Sequence, residues 1–181
     1  ELVEVYGGKP IELPFEAGDP ADPNVIESTL HAHPNAHTVL VTHNETSTGV
    51  ATQLVRPEGI DPGAIVAVDA TSAAGGLRFD AAETDVYYFA PQKCLASDGG
   101  LWIAAVSPAA VERIERVAAG DRWIPASLDL KIALDNSLKD QTYNTPALAT
   151  IFLAVNQMEW INQNGGLGFS STVAPTHNDA D

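Results

Sequence analysis

Lys93 closes the run Tyr87-Tyr88-Phe89-Ala90-Pro91-Gln92-Lys93 and lies among apolar and small residues, a context that suits a reactive amine better than those of Lys9, Lys131 or Lys139. A lysine works on a carbonyl only when deprotonated, which burial and a neighbouring cation favour. Twenty-four residues earlier, Asp69 ends a second apolar run, Ala64-Ile65-Val66-Ala67-Val68-Asp69. Ligands of open α/β sheets sit beyond the carboxyl ends of strands. An acid at one strand end and a lysine beyond the next suit pyridoxal 5'-phosphate chemistry: the lysine holds the aldehyde as a Schiff base, and the acid faces the pyridine nitrogen. Spacing alone also allows a surface lysine at a strand end and an aspartate that caps a turn.

Other groups could serve such a site. Thr46, Ser47 and Thr48 follow the first good strand, where hydroxyls and backbone donors can meet a phosphate or a ring oxygen or simply bond locally within a turn. Asn144-Thr145-Pro146 precede the clearest helix, so Thr145 is either its N-cap or a donor to an anion at a helix N-terminus. His31, His33 and His37 crowd together without the spacing of a metal motif. His43 lies in the candidate loop, and Gly75-Gly76 is too short for a phosphate cradle. No metal site is expected.

The elements that must carry these residues follow from the pattern of apolar runs. Strands are expected at 38–41, 64–68, 86–89 and 101–106, and helices at 26–33, 107–117, about 130–138 and 147–160. Ser107-Pro108 is a strong helix start, and Gly120 and Gly165-Gly166 are stops. Trp102 and Trp123 read as packing residues, and the end of the chain, small and polar with Pro175, reads as irregular. Short strands separated by helices and loops give an α/β fold with a mostly parallel sheet.

The 181 residues suffice for one real core. The formal charge of -15 argues against nucleic acid and anionic membranes as partners. A single cysteine, Cys94, excludes an internal disulfide framework and fits a reducing compartment. No apolar stretch is long enough to span a bilayer. Glu1 and Glu4 stand where a signal peptide would be basic, so none is expected, and the start at Glu raises the expectation of an upstream part.

Five short words, in this order and spacing, resemble the class V aminotransferases of the aspartate-aminotransferase fold type, and among them the phosphoserine aminotransferase branch in its actinobacterial form. They are His43-Asn44-Glu45-Thr46-Ser47-Thr48-Gly49-Val50, Val68-Asp69-Ala70-Thr71-Ser72, Ala90-Pro91-Gln92-Lys93, Ser97-Asp98-Gly99-Gly100-Leu101-Trp102 and Gln141-Thr142-Tyr143-Asn144-Thr145-Pro146. The resemblance implies that Lys93 is the Schiff-base lysine and Asp69 the pyridine-nitrogen partner. It implies that Thr46 bonds the ring's phenolic oxygen, that Ser72 and Gln92 are phosphate-side contacts, and that Asn144 and Thr145 reach the cofactor phosphate of a neighbouring subunit in a homodimer. The implied reaction is a cytoplasmic ping-pong transfer between glutamate/2-oxoglutarate and phosphoserine/3-phosphohydroxypyruvate, feeding serine and in some bacteria pyridoxine biosynthesis.

The resemblance covers residues 1–166, a partial large domain, and leaves 167–181 as an unmatched tail. Cys94 stands where the family usually has asparagine. The family's glycine-rich phosphate loop and ring-stacking aromatic residue would lie upstream, and its small domain downstream. The alternatives are an alanine- or serine-glyoxylate aminotransferase, or an inactive fragment of such an enzyme. Gln92 sets cysteine desulfurases aside, since those resemble a histidine there.

Overall fold

The computed structural model describes residues 2–173. Four strands, β1 (Thr38–Thr42), β2 (Ile65–Asp69), β3 (Val86–Phe89) and β4 (Ile103–Val106), form one sheet in the order β1-β2-β3-β4. The first three are parallel and β4 returns antiparallel to β3. Among the described residues six α-helices accompany them: α1 (Leu2–Val5), α2 (Pro23–Ala32), α3 (Pro108–Ala118), α4 (Leu130–Ser137), α5 (Leu148–Gln163) and α6 (Leu167–Val173). The expected α/β class with a mostly parallel sheet is what forms.

β2 lacks apolar alternation because it is central: Ile65, Val66 and Val68 are all buried. Val68 pairs in register with Tyr87, so the two share a sheet face. The core grows there from Val66, Val68, Ala70, Ala74 and Tyr87, with Leu54, Ile60, Phe79 and Phe89 packed against it. Phe79 stacks on Tyr87 with ring centroids 4.0 Å apart.

The amino end of β3 is clamped by a buried carboxylate. Asp85 accepts hydrogen bonds from Arg56 Nη2 (2.5 Å), the Val66 N–H (2.9 Å) and Ser107 Oγ (2.8 Å). Ser107 also caps α3 by accepting from the Ala110 N–H. Burial pushes the Asp85 carboxyl up, but the bonds from Val66, Arg56 and Ser107 outweigh it and hold it below the usual value. This contribution to stability is therefore complete above the unfolded carboxyl range and is lost as pH falls through the lower folded value. Arg56→Ala should cost about 2 kcal/mol, because it strands a buried charge; Arg56 is itself a third exposed, which keeps the loss below that of a fully buried pair. Urea unfolding at pH 7 measures it, and an unchanged midpoint would dissolve the clamp.

Three expectations need correction. The long helix begins at Leu148 with Ala147 at its cap and no side-chain cap bond, so Thr145 is not the N-cap. Trp102 and Trp123 are 56% and 75% exposed rather than packed, because Trp102 precedes the strand proper and Trp123 lies in the irregular stretch after α3. Residues 167–173 are helical, not irregular. Gly166, at φ 66°, restarts the chain; its carbonyl accepts from the Phe169 and Ser170 N–H groups, and Phe169 packs edge-on against Trp160 at 5.3 Å. The remainder of the expected tail, 174–181, lies outside the described residues.

Candidate functional site

Because β1, β2 and β3 are parallel, Thr42, Asp69 and Phe89 end at one edge of the sheet. The loops that follow them carry the site residues. In the first, the Asn44–Ala51 bridge and the bonds Glu45 N–H to Val50 O (2.8 Å) and Thr52 N–H to His43 O (2.9 Å) fold 43–52 back on itself. Gly49 turns it at φ 75°, a conformation that favours glycine. The Glu45 carboxylate accepts from the Ser47 N–H and Oγ, both at 2.9 Å, and these bonds hold it below its usual range. Thr46 is left at the exposed tip, its Oγ1 2.5 Å from Ser72 Oγ in the second loop.

Asp69 is fixed from both neighbouring strands. Its carbonyl accepts from the His43 N–H at 2.9 Å, and the next N–H, Ala70, donates to Tyr88 O at 2.8 Å. Its Oδ1 accepts from the Thr71 N–H at 3.0 Å. Tyr88 stands opposite Asp69 in register, on the same sheet face. Burial, then the Asp69 charge and a bond to its carboxylate, push the Tyr88 phenol up.

The small residues after Asp69 let the third loop approach. Ala70 and Ala73 are fully buried. Gly75, at φ 85°, is in a conformation that favours glycine, and a Cβ there would lie 2.8 Å from Leu95 Cδ2 and push that side chain aside. Cys94 Sγ contacts Ser72 O at 3.7 Å. Burial pushes this thiol up, while its own backbone bond and the Lys93 charge pull it back. Lys93 is exposed and its carbonyl accepts from the Ala96 N–H, while Pro91 beneath is buried and its carbonyl accepts from the Ser97 N–H. Gln92 is exposed beside it. The segment is tied to α5 by Ser97 Oγ to Thr150 O (2.8 Å) and Thr150 Oγ1 to Gly99 O (3.0 Å).

Thr46, Asp69, Ser72, Gln92 and Lys93 thus share one edge of the sheet. Asn144 and Thr145 are both exposed in the connection leading to α5, where Asn144 O accepts from the Thr142 hydroxyl. The donor set fits pyridoxal phosphate: an exposed amine for an aldehyde, a carboxylate with Oδ1 tied down for a pyridinium, and paired hydroxyls for ring and phosphate oxygens. Two neighbours were not assigned roles from the sequence. Tyr88 could have been found by setting the ends of β2 and β3 in register. The buried ring of His43, bonded to Tyr87 OH at 3.2 Å, gives no such signal, because the two lie 44 positions apart.

Residues 11–172 match the family described as aminotransferase class-V. A phosphoserine aminotransferase of Corynebacterium glutamicum is 56% identical over 152 residues, covering 84% of this chain and 38% of that protein. One from Rhodococcus jostii is 52% identical over 159 residues, covering 86% of this chain and 42% of its own. The chain therefore spans about two fifths of the length of these relatives. Among solved structures, a phosphoserine aminotransferase of Cytophaga hutchinsonii superposes with a TM-score of 0.79 at 24% identity, over 89% of this chain and 44% of the other, a likeness of fold.

Proposed function

Since the chain belongs to the class-V aminotransferases, a pyridoxal-phosphate-dependent family, we propose that it carries the cofactor-holding part of a phosphoserine aminotransferase, exchanging an amino group between glutamate and 3-phosphohydroxypyruvate. The carrying observation is the convergence of Lys93, Asp69, Thr46 and Ser72 at the carboxyl edge of β1–β3. The identity with phosphoserine aminotransferases supports the choice of substrate. Bound there, pyridoxal phosphate would supply an exchangeable aldehyde and a ring that draws electrons from the substrate's α-carbon.

This chain's residues divide the remaining work. Lys93 Nζ would hold the aldehyde between turnovers and, once free, would carry the proton to and from the substrate's α-carbon. Asp69 would keep the ring nitrogen protonated. Thr46 would serve the phenolic oxygen, and Ser72 and Gln92 the phosphate. Asn144 and Thr145, both exposed, would serve the cofactor phosphate of a second subunit, so that the working enzyme would be a homodimer. We assign it to the cytoplasm and to serine biosynthesis, with pyridoxine biosynthesis as the second outlet.

Mixing the protein with pyridoxal phosphate, reducing with borohydride and mapping the modified peptide tests this reading. The label should fall on Lys93 and spare Lys9, Lys131 and Lys139. A label confined to another lysine would overturn the site. A coupled assay offering glyoxylate beside 3-phosphohydroxypyruvate should favour the phosphorylated acceptor; preference for glyoxylate would overturn the substrate.

A further inference from the structure

A carboxylate that must meet a ring nitrogen has to present one oxygen in a fixed direction. Asp69 has its backbone secured by His43 and Tyr88, and Oδ1 secured by the Thr71 N–H. The Thr71 bond alone would leave the carboxyl group free to rotate about it. Tyr88 is the side chain placed to stop it: it is in register with Asp69 on β3, shares its sheet face, and is half-buried beside it. The partner alternates along β3 as strand geometry requires, since Tyr87 and Phe89 turn to the core on the other face. No role in the chemistry proposed above uses Tyr88.

We propose that Tyr88 is a positioning residue, whose hydroxyl donates to the Asp69 carboxylate and holds it in the orientation that meets the ring nitrogen. The proposal rests on the reading of Asp69 given above. The phenol is suited to this because it keeps its proton: burial and the Asp69 charge both disfavour the phenolate. A charge-assisted O–H···O⁻ bond is also among the stronger ones available to a side chain. Phenylalanine at 88 would fill the same space without the donor.

Two measurements test it. The first needs no cofactor: carbon-13 labelled tyrosine, with Tyr88→Phe to assign the signal, follows the Tyr88 phenol by NMR. Asp69→Asn should move its titration to lower pH, and an unmoved titration overturns the pair. The second uses nitrogen-15 labelled pyridoxal phosphate bound to the protein, where the ring-nitrogen shift reports its protonation. Tyr88→Phe should move that signal towards the unprotonated position and lower kcat about tenfold with little change in KM. If Asp69→Asn moves the signal and Tyr88→Phe does not, this inference fails and the role of Asp69 stands. If Asp69→Asn leaves it unmoved, the role of Asp69 fails and the inference falls with it.

Discussion

Asp69→Asn is expected to reduce turnover about a hundredfold or more while the protein stays folded. The carboxamide has the shape of the carboxylate, and its oxygen can still accept from the Thr71 N–H that Oδ1 accepts from now. The bonds through Asp69 O and Ala70 N are backbone bonds and are untouched. What is lost is the negative charge and one acceptor oxygen, whose place an amide donor takes. A preorganised charge aimed at a reacting group is typically worth about 10²–10³ in kcat, and a ring that no longer retains its proton is a poorer electron sink. Steady-state kinetics with glutamate as donor, beside a urea midpoint close to wild type, would carry the point. A variant within threefold of wild-type turnover would remove Asp69 from the ring nitrogen.

Stability should fall by about 2 kcal/mol between pH 7.5 and pH 5, and His43 should be the cause. Its ring is 3% exposed and sits edge-on to Phe79 and Tyr87, with centroids 5.9 and 6.0 Å away. Burial pushes its pKa from 6.5 down to about 4, so the ring is neutral in the folded protein and shares one proton-bearing bond with Tyr87 OH. The unfolded chain takes up the proton first. The stabilisation is therefore complete above about pH 6.5, declines as pH falls, and is exhausted near pH 4. At about 1.4 kcal/mol per pH unit the whole window corresponds to about 3 kcal/mol. The Asp85 contribution disappears only at lower pH, so the two separate. Urea unfolding of wild type and His43→Asn at both pH values checks this; a His43→Asn protein as pH-sensitive as wild type between them would exonerate the histidine.

Much of the architecture is legible in the chain because its strands are short, apolar and separated by strong punctuation. Ala64 to Val68 reads as a buried strand, and Ala64, Ile65, Val66 and Val68 are buried. Ser107-Pro108 announces α3, and Ser107 caps it. The site is legible in part: Asp69 and Lys93 fall at ends of neighbouring strands, but the bond between Thr46 and Ser72 depends on two loops meeting across 26 positions. The close approach of Gly75 to Leu95 is equally invisible, since it is set by the depth of packing and not by local preference. The helix signals misled at two places. Thr145 precedes proline and looks like a cap, yet the chain runs on to Ala147 before it coils. The residues after Gly166 look polar enough to fray, but Phe169 finds Trp160 and Ser170 becomes buried.

The order β1-β2-β3-β4 places the earliest and latest strands at the rims of the sheet. Among the described residues β1 pairs only with β2 and β4 only with β3, so each rim offers a row of backbone donors and acceptors. Leu40 on β1 is 65% exposed, and neither rim strand carries a charge or a proline to discourage a visitor. Such a sheet is open to lengthening sideways by any extended segment of matching register. In a longer relative, additional chain could supply that segment. Between identical copies, the same rims make solubility a question of concentration, and a lysine introduced in place of Leu40 would act as a gatekeeper against stacking strand on strand.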